Sequence, residues 1–362
     1  MRVHVARLSD VRMVRALSRD SEAVIISSDT GLADHAPASR GWLAWTAAGW
    51  RTQTLVIRQR RRVYGFVQLQ ARQGQDAWDI RRLCCKASDR DLWTGACLDL
   101  LDHASLAAVQ HGAMRTLVRV PSDSGHLSLL GAGNYRPFTT EITRRGTLAT
   151  VIGAAPISDL PVRPSLPRDA WDIFSLYNAV TPALVRHAEA RGLKEWQDGS
   201  RQMVPLVRRW QAVREVVWGD PGLLQGWLRW LPRRRHGIQW LELLVRPDAV
   251  PALPQLLRTA VDLHGLDPNC TTICRTREYD GRISATLELA GFEPCARETL
   301  LVRHTVARVT ERQLLVAALR AHGLGIDLSQ YHRGVETAHQ RLVSSGGVNI
   351  HSYDRNDGAS YY

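Results

Sequence analysis

Three stretches of alternating apolar and polar residues sit close together near the start of the chain: TQTLVIRQ (52–59), VYGFVQLQA (63–71) and WDIRRLCCK (78–86). A two-residue period is the mark of a half-buried strand, and the middle stretch keeps it most clearly. The period then lengthens. LWTGACLDLLDHASLAAVQHG (92–112) places apolar residues at helical spacing and stops at Gly112, a residue suited to the left-handed end of a helix. MRTLVRVP (114–121) returns to strand character; a short helix follows around His126 to Leu130, then a turn at Gly133-Asn134 and a strand, YRPFTTEITRRG (135–146). Ahead of all this lie a strand, Val3 to Arg7, and a helix from about Asp10.

The same order recurs further on. A helical pattern runs from Asp169 to Arg191, followed by the strands REVVWG (214–219), LLQGWLRWL (223–231) and GIQWLELLV (237–245). The helix PQLLRTAVDLHG (254–265), the strand TTICRTR (271–277), the helix ISATLELAGF (283–292) and the strand RETLLVRH (297–304) complete it. Three strands, helix, strand, helix, strand therefore occurs twice. Each half is α/β in the α+β sense, with a mixed, largely antiparallel sheet flanked by helices. Pro156, Pro161, Pro164 and Pro167 lie between the halves and predict an extended linker over 147–168. The expected organisation is one domain over 1–146, a second over 169–310, short helices within 311–343 and a disordered tail over 344–362.

A length of 362 residues fits two domains, and 44% hydrophobic with 23% charged residues is ample for two cores. No apolar run approaches the roughly 18 residues of a membrane span, and charge interrupts the N-terminus throughout, so the expected location is the cytoplasm. The net charge of +12 permits a polyanion partner. Its two densest clusters, Arg58 to Arg62 and Arg233 to His236, each fall between strands and read as solvated hairpin turns. No nucleic-acid reader motif accompanies them, so polyanion binding rests on charge alone. The six cysteines form no CxxC pair, and nothing supports a zinc or other metal site; Cys84 and Cys85 read as buried thiols. Trp218, Trp227, Trp230 and Trp240 read as sheet-face residues.

The order of elements resembles the GNAT family of acyl-CoA-dependent N-acyltransferases, in tandem. LELAGFEP (287–294) before the strand 298–304 is similar to that family's closing helix, Gly-Phe turn and last strand, and LLGAGNYRPF (129–138) matches it with Asn134 in the glycine position. The resemblance implies an acetyl-CoA or other acyl-CoA co-substrate and an amine acceptor that the sequence leaves unknown. It places the coenzyme pyrophosphate after an L-x-V-x-P strand end, on an R-x-x-G-x-G loop. Leu243-x-Val245-x-Pro247 matches the strand end, but Val250 to Gln255 follows with Pro251 and Pro254 and no glycine. Each proline removes a donor, and two lost bonds to a charged acceptor cost about 3–6 kcal/mol. In the first half Cys85 stands at the strand end, and Arg90, Thr94 and Gly95 lie in the loop, with Trp93 replacing the middle glycine. The first half is thus the expected coenzyme site. Asp79 and Glu242, one on each equivalent strand, are the candidate general bases. The proton-donating tyrosine of many relatives falls on Leu130 and Leu287, which donate nothing. A tandem GNAT-like protein that binds ligands or partners without catalysis is the alternative.

Overall fold

The computed structural model describes residues 2–20, 22–27, 52–59, 62–72, 76–87, 89–153, 160–197, 214–233 and 238–305. The C-terminal helices and tail expected beyond residue 310 lie outside them. Among the described residues thirteen strands form one sheet: β1 (Arg2–Val5), β2 (Val24–Ser27), β3 (Thr52–Gln59), β4 (Arg62–Ala71), β5 (Ala77–Cys85), β6 (Arg115–Pro121), β7 (Arg136–Thr147), β8 (Val162–Pro164), β9 (Arg214–Asp220), β10 (Leu223–Arg233), β11 (Ile238–Val245), β12 (Thr271–Arg277) and β13 (Glu293–His304). The helices are α1 (Val11–Arg19), α2 (Arg90–Gln110), α3 (Leu127–Ala132), α4 (Leu148–Gly153), α5 (Ala170–Val180), α6 (Ala183–Glu189), α7 (Leu193–Gln197), α8 (Leu253–His264) and α9 (Gly281–Leu289).

The strand order is β1-β3-β4-β5-β6-β13-β7-β12-β11-β10-β9-β8, with β2 attached to β5 outside that path. The last strands of the two halves have changed places. β13, from the second half, pairs with β6 of the first through Leu301↔Val118, and β7, from the first half, pairs with β12 through Cys274↔Arg144. β13 and β7 pair with each other, Thr299 opposite Thr140. From this seam outward each side reads antiparallel, parallel, antiparallel, so the halves are related by a pseudo-twofold axis through the seam. Neither half completes its own sheet.

The period of each strand decides which face it buries. On one face, Leu100, Leu101 and Ala104 of α2 cover Val67 and Leu69, and Leu256, Leu257 and Ala260 of α8 cover Leu228, Trp230 and Leu241. On the other, Met13, Val14 and Leu17 of α1 meet Val56 and Phe66, and Ile173 and Leu176 of α5 meet Val217, Trp227 and Leu244. All four tryptophans of the second-half strands are buried. The closing turns match across the axis: Asn134 has φ 63° and Gly291 φ 81°, each followed by a buried aromatic, Tyr135 and Phe292. Phe292 also reaches across the seam, where a Cβ on Gly146 would meet its ring at 2.7 Å.

Three expectations change. Among its described residues the proline-rich segment contains α4, the edge strand β8 and the start of a 3₁₀ turn, Pro167–Asp169. The helix read over 169–191 is two helices, because Pro182 bars the turn before it from the helical ladder. β2 is a strand where none was expected. At the first arginine cluster, Gln59 and Arg62 face each other on the antiparallel strands β3 and β4.

Candidate functional site

Each half holds one pair of parallel strands that meet and then part. β5 and β6 are paired from Ala77↔Arg115 to Asp79↔Leu117, and β11 and β12 from Ile238↔Thr271 to Leu241↔Cys274. Beyond these positions the strands diverge, and the two openings so formed are filled differently. In the first, β2 runs antiparallel to β5, with Val24 opposite Cys84 and Ser27 opposite Arg82. β4 already holds the other edge of β5, so β2 lies on the edge that faces β6. Ala23 and Ile26 there are wholly buried. The amide of Cys85 donates to the Ala23 carbonyl at 2.8 Å, and its carbonyl accepts from the Trp93 indole at 3.3 Å. In the second opening β10 holds one edge of β11, and among the described residues no strand pairs with residues 242–245 on the other.

The loops after these strands also differ. Asp89 caps α2, its carboxylate accepting from the Asp91 amide at 3.3 Å, so two carboxylates stand at that helix start. Arg90 is exposed, Thr94 bonds back to the Arg90 carbonyl at 2.9 Å, and a Cβ on Gly95 would meet nothing within 4 Å. Nothing there requires a glycine. Cys85 belongs to the core under α2 and sits beside Cys97, while burial pushes the Cys84 thiol up to about 12, far from a nucleophile's range. In the second half a 3₁₀ turn, Val250–Ala252, leads into α8, whose capping residue Ala252 offers no side-chain acceptor. Val245 is core, and Arg246 is held to the β10 carbonyls of Gln225 and Leu224, each at 2.9 Å.

Of the candidate bases, Asp79 is bound to Arg72 at 2.8 Å, and Glu242, half exposed, lies 3.6 Å from Arg229. Leu130 and Leu287 are wholly buried in the cores. The structure adds two residues past the end of β12 that sequence spacing did not single out. Tyr279 is kept protonated by burial. The Asp280 carboxylate accepts from the Arg277 amide at 3.1 Å, and burial raises it to about 6. An aspartate just before a helical run was the available signal.

Between the openings, the seam carries a buried ion network on the α5 side of the sheet. Glu141 and Glu298 face each other on β7 and β13, and Arg119 of β6 pairs with both. Arg275 and Arg277 of β12 reach Glu141 at 3.3 and 3.1 Å. Arg277 continues to Glu189 of α6 at 2.9 Å, which also accepts from Tyr177 and Arg191, each at 3.0 Å. Burial alone would raise both carboxyls. Arg277, Arg119 and Arg275 hold Glu141 below its usual range instead, and Arg191, Arg277 and Arg72 draw Glu189 down to about 2. Among the described residues no group of three or more His, Cys, Asp or Glu could hold a metal, and no helix is long and apolar enough to cross a membrane.

No family model and no curated protein matches this sequence. Solved structures do match the fold. A GCN5-related N-acetyltransferase from Sphaerobacter thermophilus aligns over 84% of this chain and 95% of its own at 13% identity, with a TM-score of 0.51. A tandem GNAT protein from the clavulanic acid biosynthesis pathway aligns over 70% of this chain and 82% of its own at 17% identity, with a TM-score of 0.46. The fold is thus the GNAT fold, a mixed and mostly antiparallel sheet flanked by helices, built here in tandem.

Proposed function

We propose that the protein is an acyl-CoA-dependent N-acyltransferase whose coenzyme enters the second opening, between β11 and β12. The observation that carries this reading is β2. It occupies the first opening and takes the Cys85 amide that an extended ligand would use, whereas no described strand occupies the second. Sequence spacing favoured the first half through Arg90, Thr94 and Gly95; the paired carboxylates of Asp89 and Asp91 now argue against an anion there. The start of α8 has lost the donors of Pro251 and Pro254 but carries no acidic cap. Glu242 and Asp280 are candidates to accept the amine proton; Tyr279 packs instead against Phe138 and Leu300, so the leaving thiolate takes its proton from water.

The test is calorimetric titration of acetyl-CoA into the full chain and into Ala252→Asp and Asp89→Ala. An aspartate suits a helix cap, so Ala252→Asp preserves or raises thermal stability while repelling a pyrophosphate. We expect saturable binding that Ala252→Asp weakens by about tenfold or more and Asp89→Ala leaves unchanged. Binding strengthened by Asp89→Ala and indifferent to Ala252→Asp would return the site to the first half. No binding to the folded chain favours the second reading, a non-catalytic ligand-binding protein, which the buried Leu130 and Leu287 at the donor position support.

A further inference from the structure

The lips of the second opening carry opposite charges. Leu241↔Cys274 is the last matched pair, so Glu242 and Arg275 are the next residues along the two strands. They lie on the same face. Arg275 sits over the Trp240 ring with 4.6 Å to its centroid, and Trp240 and Glu242 are two residues apart on β11. This is the α5 face, since Leu244 packs there with Ile173 and Leu176.

Arg275 is the most exposed of the three arginines that reach Glu141. Arg277 reaches Glu141 and Glu189 through Nη2 alone, its Nη1 buried without a partner, and Arg119 reaches Glu141 and Glu298 through Nη1. The Arg275 Nε pairs at 3.3 Å with a Glu141 oxygen already claimed by Arg119, outside hydrogen-bond geometry, and Arg275 donates no hydrogen bond within the described residues. Its side chain is nevertheless 31% exposed. Burial and the neighbouring Arg119 push its pKa down, against the opposing pull of Glu141, Glu298 and Glu242. A partly exposed guanidinium over an indole, whose terminal nitrogens make no hydrogen bond within the described residues, suits a planar carboxylate.

We infer that the acceptor is an amino carboxylate: Arg275 holds its carboxylate on one lip of the opening and Glu242 receives its amine on the other. This rests on the acyltransferase reading for the reaction, though the carboxylate subsite stands apart from it. In the transfer the amine nitrogen bonds to the thioester carbonyl carbon and the carbon–sulfur bond breaks. Glu242 accepts the proton lost from nitrogen, the thiolate takes up a proton, and the products are an N-acyl amino carboxylate and free coenzyme A.

The product supplies a probe. N-acetylalanine and its primary amide, which differ by one charge, are titrated calorimetrically into the full chain and into Arg275→Gln and Arg275→Lys. The acid is expected to bind about tenfold or more tightly than the amide. Arg275→Gln should abolish that preference and Arg275→Lys recover part of it, with thermal melting confirming that each variant is folded. Equal binding of acid and amide, or binding of neither, overturns the inference. Acid preference in a chain that does not bind acetyl-CoA keeps the carboxylate subsite and sinks the acyltransferase reading; acetyl-CoA binding without acid preference does the reverse.

Discussion

The two openings are pseudo-symmetric mates built by the same strand order, yet one is filled by the chain's own backbone and the other is lined by charge. At the first, Ile26 and Ala23 are wholly buried and β2 satisfies the edge of β5. At the second, Glu242 is half exposed and Arg275 a third exposed on strands that have parted. One plan thus yields two openings with different linings. Among the described residues, what separates them is a four-residue strand, not a difference in topology.

The largest test of that contrast is a matched pair of substitutions. Ile26→Asp puts a carboxylate into the filled opening, with no cation to pair it, and should cost more than about 4 kcal/mol or prevent folding. Leu243→Asp introduces the same group on the β11 lip, where the side chain is only partly buried, and should cost no more than about 2 kcal/mol. Urea unfolding of both variants reads the difference. Equal costs would mean that the second opening is as tightly filled as the first.

A smaller effect separates the way the halves are tied to the seam. α6 of the second half is anchored by Glu189, whose carboxyl lies at about 2 against an ordinary 4.5. A lowered pKa stabilises the fold above the ordinary value and loses that contribution as pH falls from 4.5 toward 2. At about 1.4 kcal/mol per unit the loss is on the order of 3 kcal/mol. Glu141 shifts in the same direction and adds to it. The urea midpoint should therefore fall between pH 6 and pH 3, and Glu189→Gln should flatten part of that slope. An unchanged slope in the variant would remove Glu189 from the acid response.

Most elements of this fold were legible, because strand and helix periods are local. The TTICRTR strand falls on β12 residue for residue, and the apolar stripe of 254–265 marks α8 within one residue. The exchange of β7 and β13 was not legible. Periodicity says that a strand exists and which face it buries; it does not say whether its partner comes from its own half. β2 escaped for a related reason. VIIS is four residues long, too short for alternation to declare itself, and its strand character comes from the β5 edge it covers. The surroundings of the candidate site were less legible. Arg90 and Gly95 matched a spacing, but spacing does not reveal that Asp89 caps the helix beside them or that β2 pairs with β5. Glu242 was legible as a carboxylate on β11. Arg275, its opposite across the opening, was not, since only the register of β11 against β12 brings the two together.

The smallest test asks how far the pseudo-symmetry extends into backbone chemistry. Asn134 and Gly291 hold equivalent turns with positive φ, 63° and 81°. A left-handed residue costs an ordinary side chain about 1–2 kcal/mol, and asparagine less because its amide bonds locally. Asn134→Gly relieves that cost but adds freedom to the unfolded chain, so the two effects nearly cancel, to within about 0.5 kcal/mol. Gly291→Asn meets no steric bar, since the nearest heavy atom to its new Cβ is a Thr150 methyl at 4.0 Å, and it should cost no more than about 1 kcal/mol. Gly146→Ala, by contrast, drives a methyl to within 2.7 Å of the Phe292 ring and should cost about 1–3 kcal/mol with no change of φ required. If Gly291→Asn proved as costly as Gly146→Ala, the second turn would be held by packing rather than by φ. The match between Asn134 and Gly291 would then be one of position alone.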